Sequence, residues 1–210
     1  MSGAARQGGA ARIEIRFGGT GGQGLILAGT MLAGAFAAQG RHIAQSQTYE
    51  PTSRGGYCNS DLVVADAEVD YPLTTALDQL VLLDRMAVQP SWPLLKPGAL
   101  VIADTRLCPQ LPPGDARVHH LPLSRTAIDL GSERVTNIVA LGALAALADD
   151  CERAAIEAAL RANTPRSYLD LNLDALAAGY GLATGVTAPG VVTHASAAIM
   201  AAYSKYLEPP

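Results

Sequence analysis

A glycine-rich loop between a strand pattern and a helix pattern is the feature that most restricts the fold of this chain. Residues 18–24 read GGTGGQG, and three of these glycines have the G-x-G-x-x-G spacing: Gly19, Gly21 and Gly24. Glycine accepts positive φ angles and lets the backbone approach a ligand, while the N-terminus of a following helix offers unpaired N–H groups to an anion. The loop therefore predicts the turn of a βαβ unit.

Hydrophobic periodicity around the loop supports this unit. Apolar and charged residues alternate over 13–17 and predict the first strand, 25–39 predicts a helix that stops before Gly40, and 42–47 predicts the second strand. Short apolar runs predict further strands at 59–65, 79–83 and 99–103. A short helix around Trp92 and a turn at Lys96-Pro97-Gly98 are expected between the last two strands.

The second half of the chain has a helical pattern. Runs rich in alanine and leucine predict helices over 135–148, 152–163 and 170–179. We therefore expect an α/β fold that is Rossmann-like, with a mostly parallel sheet, flanking helices and a helical C-terminal part. The single domain is expected to span 12–182. A flexible lead-in over 1–11 precedes it, and a linker with a C-terminal arm or helix over 183–210 follows it.

Charge and hydropathy exclude two classes of partner. The formal net charge is −4 and no run of lysine or arginine forms a basic stripe, so no nucleic-acid partner is expected. No apolar run reaches the roughly 18–20 residues that span a bilayer, so no membrane insertion is expected. The first residues have no signal-peptide pattern.

The sequence contains few candidates for metal-binding or catalytic residues. The three cysteines, Cys58, Cys108 and Cys151, form no CxxC pair, which indicates a reducing, cytoplasmic location. They cannot hold a [4Fe-4S] cluster, which takes four thiolates. The sequence also has no pair of histidines at a favourable metal-ligand spacing, no G-x-S-x-G elbow and no Walker loop, so neither a metal site nor a catalytic residue is expected. Cys58 is expected to be a buried apolar residue rather than a reactive thiol.

Three interpretations of the glycine loop remain open. A dinucleotide site, as in a stand-alone nicotinamide- or flavin-dependent dehydrogenase, requires an acidic residue about 20 positions on, where residues 45–47 are uncharged and Glu50 is the nearest carboxylate. In a second interpretation the loop is a structural turn of a ligand-free assembly subunit. In the third it binds an anion or part of a nucleotide, such as the phosphates of coenzyme A, in an assembled enzyme. The candidate binding residues are Gly19, Gly21, Gly22, Gln23 and Gly24.

A second loop follows the second predicted strand and carries Arg54 before two glycines. Its candidate residues are Tyr49, Glu50, Arg54, Gly55, Gly56 and Asn59. Ligands of open α/β sheets bind at this edge, so Arg54 is expected either to present its guanidinium to a carboxylate or phosphate or to pair across a subunit interface. Asn59 is expected to fix the loop through hydrogen bonds from its side chain to the backbone.

Several segments, taken in order, resemble one family. They are GGTGGQG with LILAGTMLAGAFAAQG at 18–40, QSQTYEPTSRGGYCNSDLVVAD at 45–66, DYP at 70–72, LLKPGALVIAD at 94–104, Asn137 with Leu141-Gly142, and Asn172 with Ala175 and Gly179. Over residues 12–182 the chain is similar to the γ subunit, or γ domain, of thiamine-diphosphate-dependent 2-oxoacid:acceptor oxidoreductases. The segments QTYEPTSRGG and NSDLVVAD are most similar to γ subunits of 2-oxoglutarate:ferredoxin oxidoreductases.

This resemblance implies a non-redox subunit of a complex that oxidatively decarboxylates a 2-oxoacid to an acyl-CoA. It implies thiamine diphosphate, Mg²⁺ and [4Fe-4S] clusters in partner subunits, coenzyme A as co-substrate, and ferredoxin or another electron acceptor for the complex. The chain itself is then expected to hold no cofactor, to be inactive alone, and to contribute to assembly and to the coenzyme A side of the site. An enzyme for an aromatic 2-oxoacid, phenylglyoxylate or indolepyruvate, is the alternative within the family.

Overall fold

The computed structural model describes residues 12–50 and 55–185 and the backbone of 190–191. The expected lead-in over 1–11, the expected arm over 195–207, most of the 183–193 linker and Arg54 lie outside these residues. The described residues form one mixed sheet with helices. Its strands are β1 Arg12–Thr20, β2 His42–Tyr49, β3 Tyr57–Ala65, β4 Leu77–Leu82, β5 Leu95–Asp104, β6 Ala116–Leu121 and β7 Gly190–Val191.

The strand order is β2-β3-β1-β4-β5-β6-β7. β1, β4, β5 and β6 are parallel neighbours, and β2 runs in the same direction because β3 is antiparallel to both β1 and β2. β7 is antiparallel to β6. Five of the seven described strands thus point the same way, which confirms the expected α/β class with a mostly parallel sheet.

The two strands of the expected βαβ unit run parallel but are not neighbours in the sheet. β3 lies between β1 and β2 and pairs with β1 from Arg12↔Ala65 to Thr20↔Tyr57. The same strand pairs with β2 from His42↔Ala65 to Tyr49↔Cys58. Alternating residues predict that a segment is a strand but do not name its partner, so the sequence could not reveal this insertion.

The helices are α1 Leu25–Ala38, α2 Val88–Ser91, α3 Leu123–Asp129, α4 Thr136–Ala148, α5 Arg153–Asn163 and α6 Arg166–Thr184. The larger hydrophobic core joins α1, α4, α5 and α6 to one face of the sheet, where Ile15 and Phe17 of β1 are fully buried. A smaller core on the other face joins β4 and β5 to α2 and to Cys108 and Leu111. The sheet is therefore covered on both faces, as a largely parallel sheet requires.

Two segments differ from the expectations. β6 and α3 were not predicted, since ARVHHL contains two histidines and α3 has only seven residues. The expected turn at Lys96-Pro97-Gly98 lies inside β5, where the ladder with β4 is irregular between Leu77 and Gln79 and Gly98 has φ +74°. This irregularity admits a glycine and a proline into the strand.

α4 and α6 cross at backbone contact distance. A Cβ atom on Gly142 would lie 2.2 Å from the carbonyl oxygen of Leu176, and one on Gly179 would lie 2.1 Å from the carbonyl oxygen of Val139. Only glycine leaves room for such an approach, and this explains why both positions in the helical half of the chain are glycine.

A buried charged network fastens the segment 66–76 to the sheet. Arg16 of β1 and Asp61 of β3 form a two-pronged ion pair, at 2.7 and 2.6 Å, and both side chains are only 8% exposed. The hydroxyl of Thr74 donates to Asp61 at 2.6 Å. Glu14 accepts from the backbone N–H groups of Thr75 and Ala76 at 2.6 and 2.9 Å. The crossover from β3 to β4 is therefore held by charge-assisted hydrogen bonds.

The network makes the stability of the domain depend on pH through Glu14. Burial acts to raise the pKa of Glu14, but hydrogen bonds from Ala76, Thr75 and Arg12 together outweigh it and leave that pKa lowered. A lowered folded-state pKa contributes stability above the unfolded value of about 4.3, and that stability is lost as the pH falls through the folded-state value. As the pH is lowered below about 4.5, we expect the urea concentration at the unfolding midpoint to decrease. The decrease should be less steep in Glu14→Gln than in the unaltered chain. The exposed Glu68→Gln is the matched control and should follow the unaltered chain.

Candidate functional site

The glycine loop lies at the carboxyl edge of the parallel strands, between β1 and β4. From β1 the chain passes through the loop into α1 and returns as β2 on one side of β1, whereas β4, β5 and β6 follow one another on the other side. A reversal of strand order of this kind opens a crevice at the carboxyl edge, and open α/β sheets bind ligands there.

The conformation of the loop depends on two glycines. Gly22 has φ +94° and Gly24 has φ +72°, and Gly24 directly precedes α1. Gly24 has no side chain with which to cap the helix, so the first N–H groups of α1, from Leu25 to Leu27, have no side-chain acceptor at the cap position. The fourteen-residue helix therefore presents unpaired N–H groups and its positive dipole end at the loop.

Gln23 fastens the loop to the sheet. Its Oε1 accepts from the backbone N–H of Thr20 at 2.8 Å, and its Nε2 donates to the carbonyl oxygen of Leu83 at 2.9 Å. The N–H of Leu83 in turn donates to the carbonyl oxygen of Gly18 at 2.8 Å. A Cβ on Gly19 would lie 2.3 Å from Oε1 of Gln23, so Gly19 makes room for this amide. The Gln23 side chain and Gly19 therefore shape the loop from within.

The structure brings the two predicted loops together. The N–H of Gly21 donates to the carbonyl oxygen of Gly56 at 3.0 Å, and Gly56 is buried while Gly55 is exposed with φ +70°. Tyr49 is 64% exposed at the end of β2. The N–H of Glu50, the next residue, donates to the carbonyl oxygen of Tyr57 at 2.9 Å.

Asn59 makes its side-chain hydrogen bonds within the sheet rather than to the second loop. It is buried on β3, and its Oδ1 accepts from the backbone N–H of Thr48 at 3.0 Å. Its Nδ2 donates to Asp61 at 2.9 Å. Asn59 thus links β2 to the buried ion pair and does not face the loop as a ligand group.

A third element reaches the loop from the helical half. Nδ2 of Asn137, at the start of α4, donates to the carbonyl oxygen of Gly24 at 2.9 Å. Asn137 is 2% exposed, and its Oδ1 is a buried acceptor without a hydrogen-bond partner among the described residues. A Cβ on Gly24 would lie 2.5 Å from Nδ2 of Asn137, so Gly24 is required both by its φ angle and by this contact.

The inserted strand also bears on the dinucleotide interpretation. In a dinucleotide-binding βαβ unit the acidic ribose clamp stands at the end of the strand next to the first. Here β3 occupies that place, and the end of β2 lies two strand spacings, about 10 Å, from β1. Glu50 is thus displaced from the clamp position by the topology as well as by the sequence.

The three cysteines are buried in this structure. Cys58, Cys108 and Cys151 are 6%, 0% and 8% exposed and form no disulfide with one another. Burial raises the pKa of Cys58 and of Cys108, and burial with the nearby Glu152 and Asp150 raises the pKa of Cys151 to about 11. The thiolate is the reactive form, so Cys58 packs as a small apolar side chain, as expected.

Among residues 12–50 and 55–185, no group of three or more His, Cys, Asp or Glu side chains is placed to hold a metal ion. His119 and His120 lie on β6, where successive side chains point to opposite faces, and His119 is buried while His120 is exposed. In the same part of the chain, no helix has the length and apolar character needed to cross a bilayer.

Comparison with known proteins identifies the chain. Residues 14–182 match the model of the pyruvate ferredoxin/flavodoxin oxidoreductase family. The chain belongs to this family. The matched segment contains the glycine loop, the second loop, the turn at Leu83 that follows β4, and the N-terminus of α4. The whole candidate site therefore lies within the family's shared domain.

Two curated relatives match over most of their length. The 2-oxoglutarate synthase subunit KorC of Archaeoglobus fulgidus is 33% identical over 183 residues, which is 87% of this chain and 94% of that protein. KorC of Methanocaldococcus jannaschii is 35% identical over 176 residues, which is 82% of this chain and 94% of that protein.

Two solved structures have the same fold. The γ subunit of a keto/oxoacid ferredoxin oxidoreductase from Geobacter sulfurreducens has a TM-score of 0.77 and 39% identity, covering 83% of this chain and 98% of that one. A 2-oxoglutarate:ferredoxin oxidoreductase from Magnetococcus marinus, with 2-oxoglutarate, coenzyme A and succinyl-CoA bound, has a TM-score of 0.76 and 25% identity, covering 88% of this chain and 33% of that one.

The family relationship confirms the central expectation. The chain is a γ subunit of a multi-subunit 2-oxoacid:ferredoxin oxidoreductase. Its fold is that of the γ subunit from Geobacter sulfurreducens. Other subunits of that complex are its partners. These relatives do not favour the aromatic 2-oxoacid alternative.

Two contributors to the site of this γ subunit were not assigned to it from the sequence. The Leu83 turn follows β4 at the carboxyl edge, and the only signal for it is the first polar residue, Asp84, after an apolar run. Asn137 was noted as a family-like residue, but nothing in the sequence placed it beside Gly24. Both become visible only when the strand order and the position of α4 are known.

Proposed function

We propose that this γ subunit serves a 2-oxoglutarate:ferredoxin oxidoreductase and that its glycine loop binds the phosphate groups of coenzyme A. The observation that carries the substrate assignment is the likeness to KorC of Archaeoglobus fulgidus along nearly the whole of both chains. Ketoisovalerate oxidoreductase subunit VorA of Methanothermobacter thermautotrophicus is 27% identical, and this chain covers 35% of it. The matches therefore favour 2-oxoglutarate over a branched-chain substrate.

The geometry of the loop supports the coenzyme A part of the proposal. Phosphate groups are bound by backbone N–H groups at a helix N-terminus, and Gly22, Gly24 and the start of α1 provide such groups at the carboxyl edge. A Cβ on Gly22 would meet no atom within 4 Å, so open space lies beside the backbone. The unpaired Oδ1 of Asn137 can accept a hydrogen bond from one of the amide N–H groups or hydroxyls of coenzyme A.

The residues assigned to the site have different roles in this proposal. Gly21, Gly22 and Gly24 form the wall against which the ligand lies, while Gly19 and Gln23 hold the loop in position. Gly55 and Gly56 form the rim of the site, and beside it Tyr49 ends β2 and Glu50 follows. Arg54, which lies outside the described residues, keeps the role proposed from the sequence, as a partner for a carboxylate or phosphate or for another subunit. By excluding water, the assembled site strengthens the contacts to the phosphates.

The redox chemistry is assigned to other subunits. The three buried thiols lie on β3, after β5 and after α4, and do not form a ligand set for a cluster. Thiamine diphosphate, Mg²⁺ and [4Fe-4S] clusters are therefore proposed to reside in partner chains, with ferredoxin as acceptor, and this chain alone is proposed to hold none of them. The family domain is proposed to end near residue 182. The chain is proposed to work in the cytoplasm, because three unpaired cysteines favour a reducing compartment.

A pair of matched glycine variants tests the coenzyme A site. Gly22 and Gly40 both have positive φ, +94° and +78°, and a Cβ on either meets no atom within 4 Å. Alanine therefore strains the backbone similarly at both, but only Gly22 lies in the loop. We expect Gly22→Ala to raise the KM of the assembled enzyme for coenzyme A about tenfold, the effect of losing one hydrogen bond to a charged group, and Gly40→Ala to leave it unchanged. The KM for 2-oxoglutarate should not change in either variant.

Two results would reject parts of this proposal. If both variants assemble and their KM for coenzyme A equals that of the unaltered enzyme, the loop is a structural turn of an assembly subunit. If the purified chain alone binds NADH tightly in a fluorescence titration, it is an autonomous dinucleotide-binding protein. The substrate assignment is tested separately by comparing kcat/KM for 2-oxoglutarate with that for 2-oxoisovalerate.

A further inference from the structure

Among the described residues, the outer edge of β2 lacks the features that normally protect an edge strand. No described strand pairs with the outer side of β2, and its pairing with β3 is regular over eight residues, so no bulge twists the edge away. Residues 43–49 read IAQSQTY and contain neither a charged residue nor proline. Natural edge strands are usually blunted by lysine, proline, bulges or a covering element. This regular, uncharged edge is thus suited to pairing with another strand.

The sequence of β2 is complementary to itself in the antiparallel direction. When two copies are aligned about Ser46, Gln45 stands opposite Gln47, Ala44 opposite Thr48, and Ile43 opposite Tyr49. Amide pairs and aliphatic–aromatic pairs are favourable across antiparallel strands. The next pair outward places His42 opposite Glu50, an imidazole opposite a carboxylate. No like charges meet at any position of this register.

A groove beside the edge provides a place for the largest of these side chains. An open groove of about 620 Å³ runs between α1 and β2, and Ala33, Gly34 and Ala37 of α1 line it together with Ile43. Gln45 of the same strand bonds to the carbonyl oxygen of Ile26 and to Thr30, so the odd-numbered residues of β2 face α1. Tyr49 is 64% exposed in the single chain. In the register about Ser46, the Tyr49 ring of a second copy lies over Ile43 and enters the groove.

We propose that the outer edge of β2 is the interface between two copies of this chain, paired antiparallel about Ser46 across a two-fold axis. The pairing joins the two sheets into one and seats Tyr49 of each copy against Ile43 and the α1 groove of the other. The occupant is a second copy because the register satisfies each residue of the strand with a residue of the same strand. A symmetric contact of this kind is self-complementary, as two-fold interfaces are. The proposal is independent of the ligand assigned to the glycine loop.

A cysteine placed on the proposed axis tests the interface in the assembled enzyme. In Ser46→Cys the two thiols face each other, and directly opposed residues of antiparallel strands have Cα atoms about 4.5–5.5 Å apart, within the range of a disulfide. We expect mild oxidation to convert most of the chain to a disulfide-linked homodimer, identified by mass spectrometry. In the exposed control Thr48→Cys the two thiols are offset by four residues, about 13 Å, and should not join. The three native cysteines are buried.

Two further variants test the register and the energetics. The double variant Ala44→Cys with Thr48→Cys brings unlike positions opposite each other and should cross-link like Ser46→Cys. Ser46→Lys sets two ammonium groups opposite each other and should weaken the association of the two copies at least about tenfold by analytical ultracentrifugation, because opposed like charges are destabilising.

Several outcomes would overturn the proposal. The assembled enzyme with Ser46→Cys yielding no homodimer, or the Thr48→Cys control cross-linking equally, would exclude this interface. A disulfide from Cys at position 46 to another subunit, or protection of the position by residues 192–210 of the same chain, would assign the edge to a different occupant. A complex that sediments with a single copy of this chain would contradict it independently.

Discussion

Replacing Gly179 by alanine is expected to destabilise the domain by about 3 kcal/mol, at the upper end of the usual range for overpacking a core. A Cβ at this position would lie 2.1 Å from the carbonyl oxygen of Val139 and 2.9 Å from the backbone nitrogen of Ala143. Both are backbone atoms of α4, so no side chain can rotate away and the helices must separate. Because α4 is buried along most of its length, this separation disturbs the whole helical layer.

Gly181 of the same helix is a matched control. A Cβ on Gly181 would meet no atom within 4 Å, and its φ is not positive. Since alanine favours a helix over glycine by about 1 kcal/mol, Gly181→Ala should raise the urea midpoint while Gly179→Ala lowers it. The measurement is urea unfolding followed by circular dichroism. Equal midpoints for the two variants would contradict the close crossing of α4 and α6.

Removing the carboxylate of Asp61 is the second change with a large expected effect. Asp61→Ala leaves the guanidinium of Arg16 buried without its counter-ion, and breaking a buried pair from one side costs about 3–5 kcal/mol. Burial disfavours the charged form of Arg16, but hydrogen bonding and attraction from Asp61 outweigh this and raise its pKa. Arg16 therefore stays charged, and the loss also frees Asn59 and Thr74 from their shared acceptor.

An exposed ion pair provides the control for this second prediction. Arg125 and Asp129 are 69% and 56% exposed on α3, and removing Asp129 should change the stability by less than about 1 kcal/mol. Asp129→Ala and Asp61→Ala are compared by the same urea titration. If both variants unfold at the same midpoint, the Arg16–Asp61 pair is not buried as described. The double variant Arg16→Met with Asp61→Leu should recover much of the lost stability, because apolar residues of similar volume can replace a buried pair.

The parts of the fold that were predictable are those decided locally. The helix after the glycine loop begins at Leu25 as expected, since an apolar run between glycines has one favourable local conformation. The strands at β3, β4 and β5 were found for the same reason, although each begins at least two residues before its apolar run. The strand order was not predictable, because the place of β3 depends on pairing with β1 across the sheet.

The candidate site also has a part that the sequence could predict locally and a part that depends on contacts between distant segments. Glycine spacing identified the loop, because positive φ at Gly22 and Gly24 is a local requirement. The role of Gln23 depends on Leu83, sixty residues along the chain, and was not visible locally. The bond between Gly21 and Gly56 likewise requires β3 to stand beside β1. Contacts between distant segments therefore mark the limit of what the sequence alone could establish about this site.

The bond from Asn137 to Gly24 has a consequence for biosynthesis. It joins residues 113 positions apart, and α4, which supplies Asn137, packs against α6 near the end of the family domain. A nascent chain that has left the ribosome only as far as β6 contains every glycine of the loop. It lacks α4, however, and so lacks the Asn137 that bonds to Gly24. The site proposed for coenzyme A is thus completed late in translation, and fragments that stop before α4 should not bind coenzyme A.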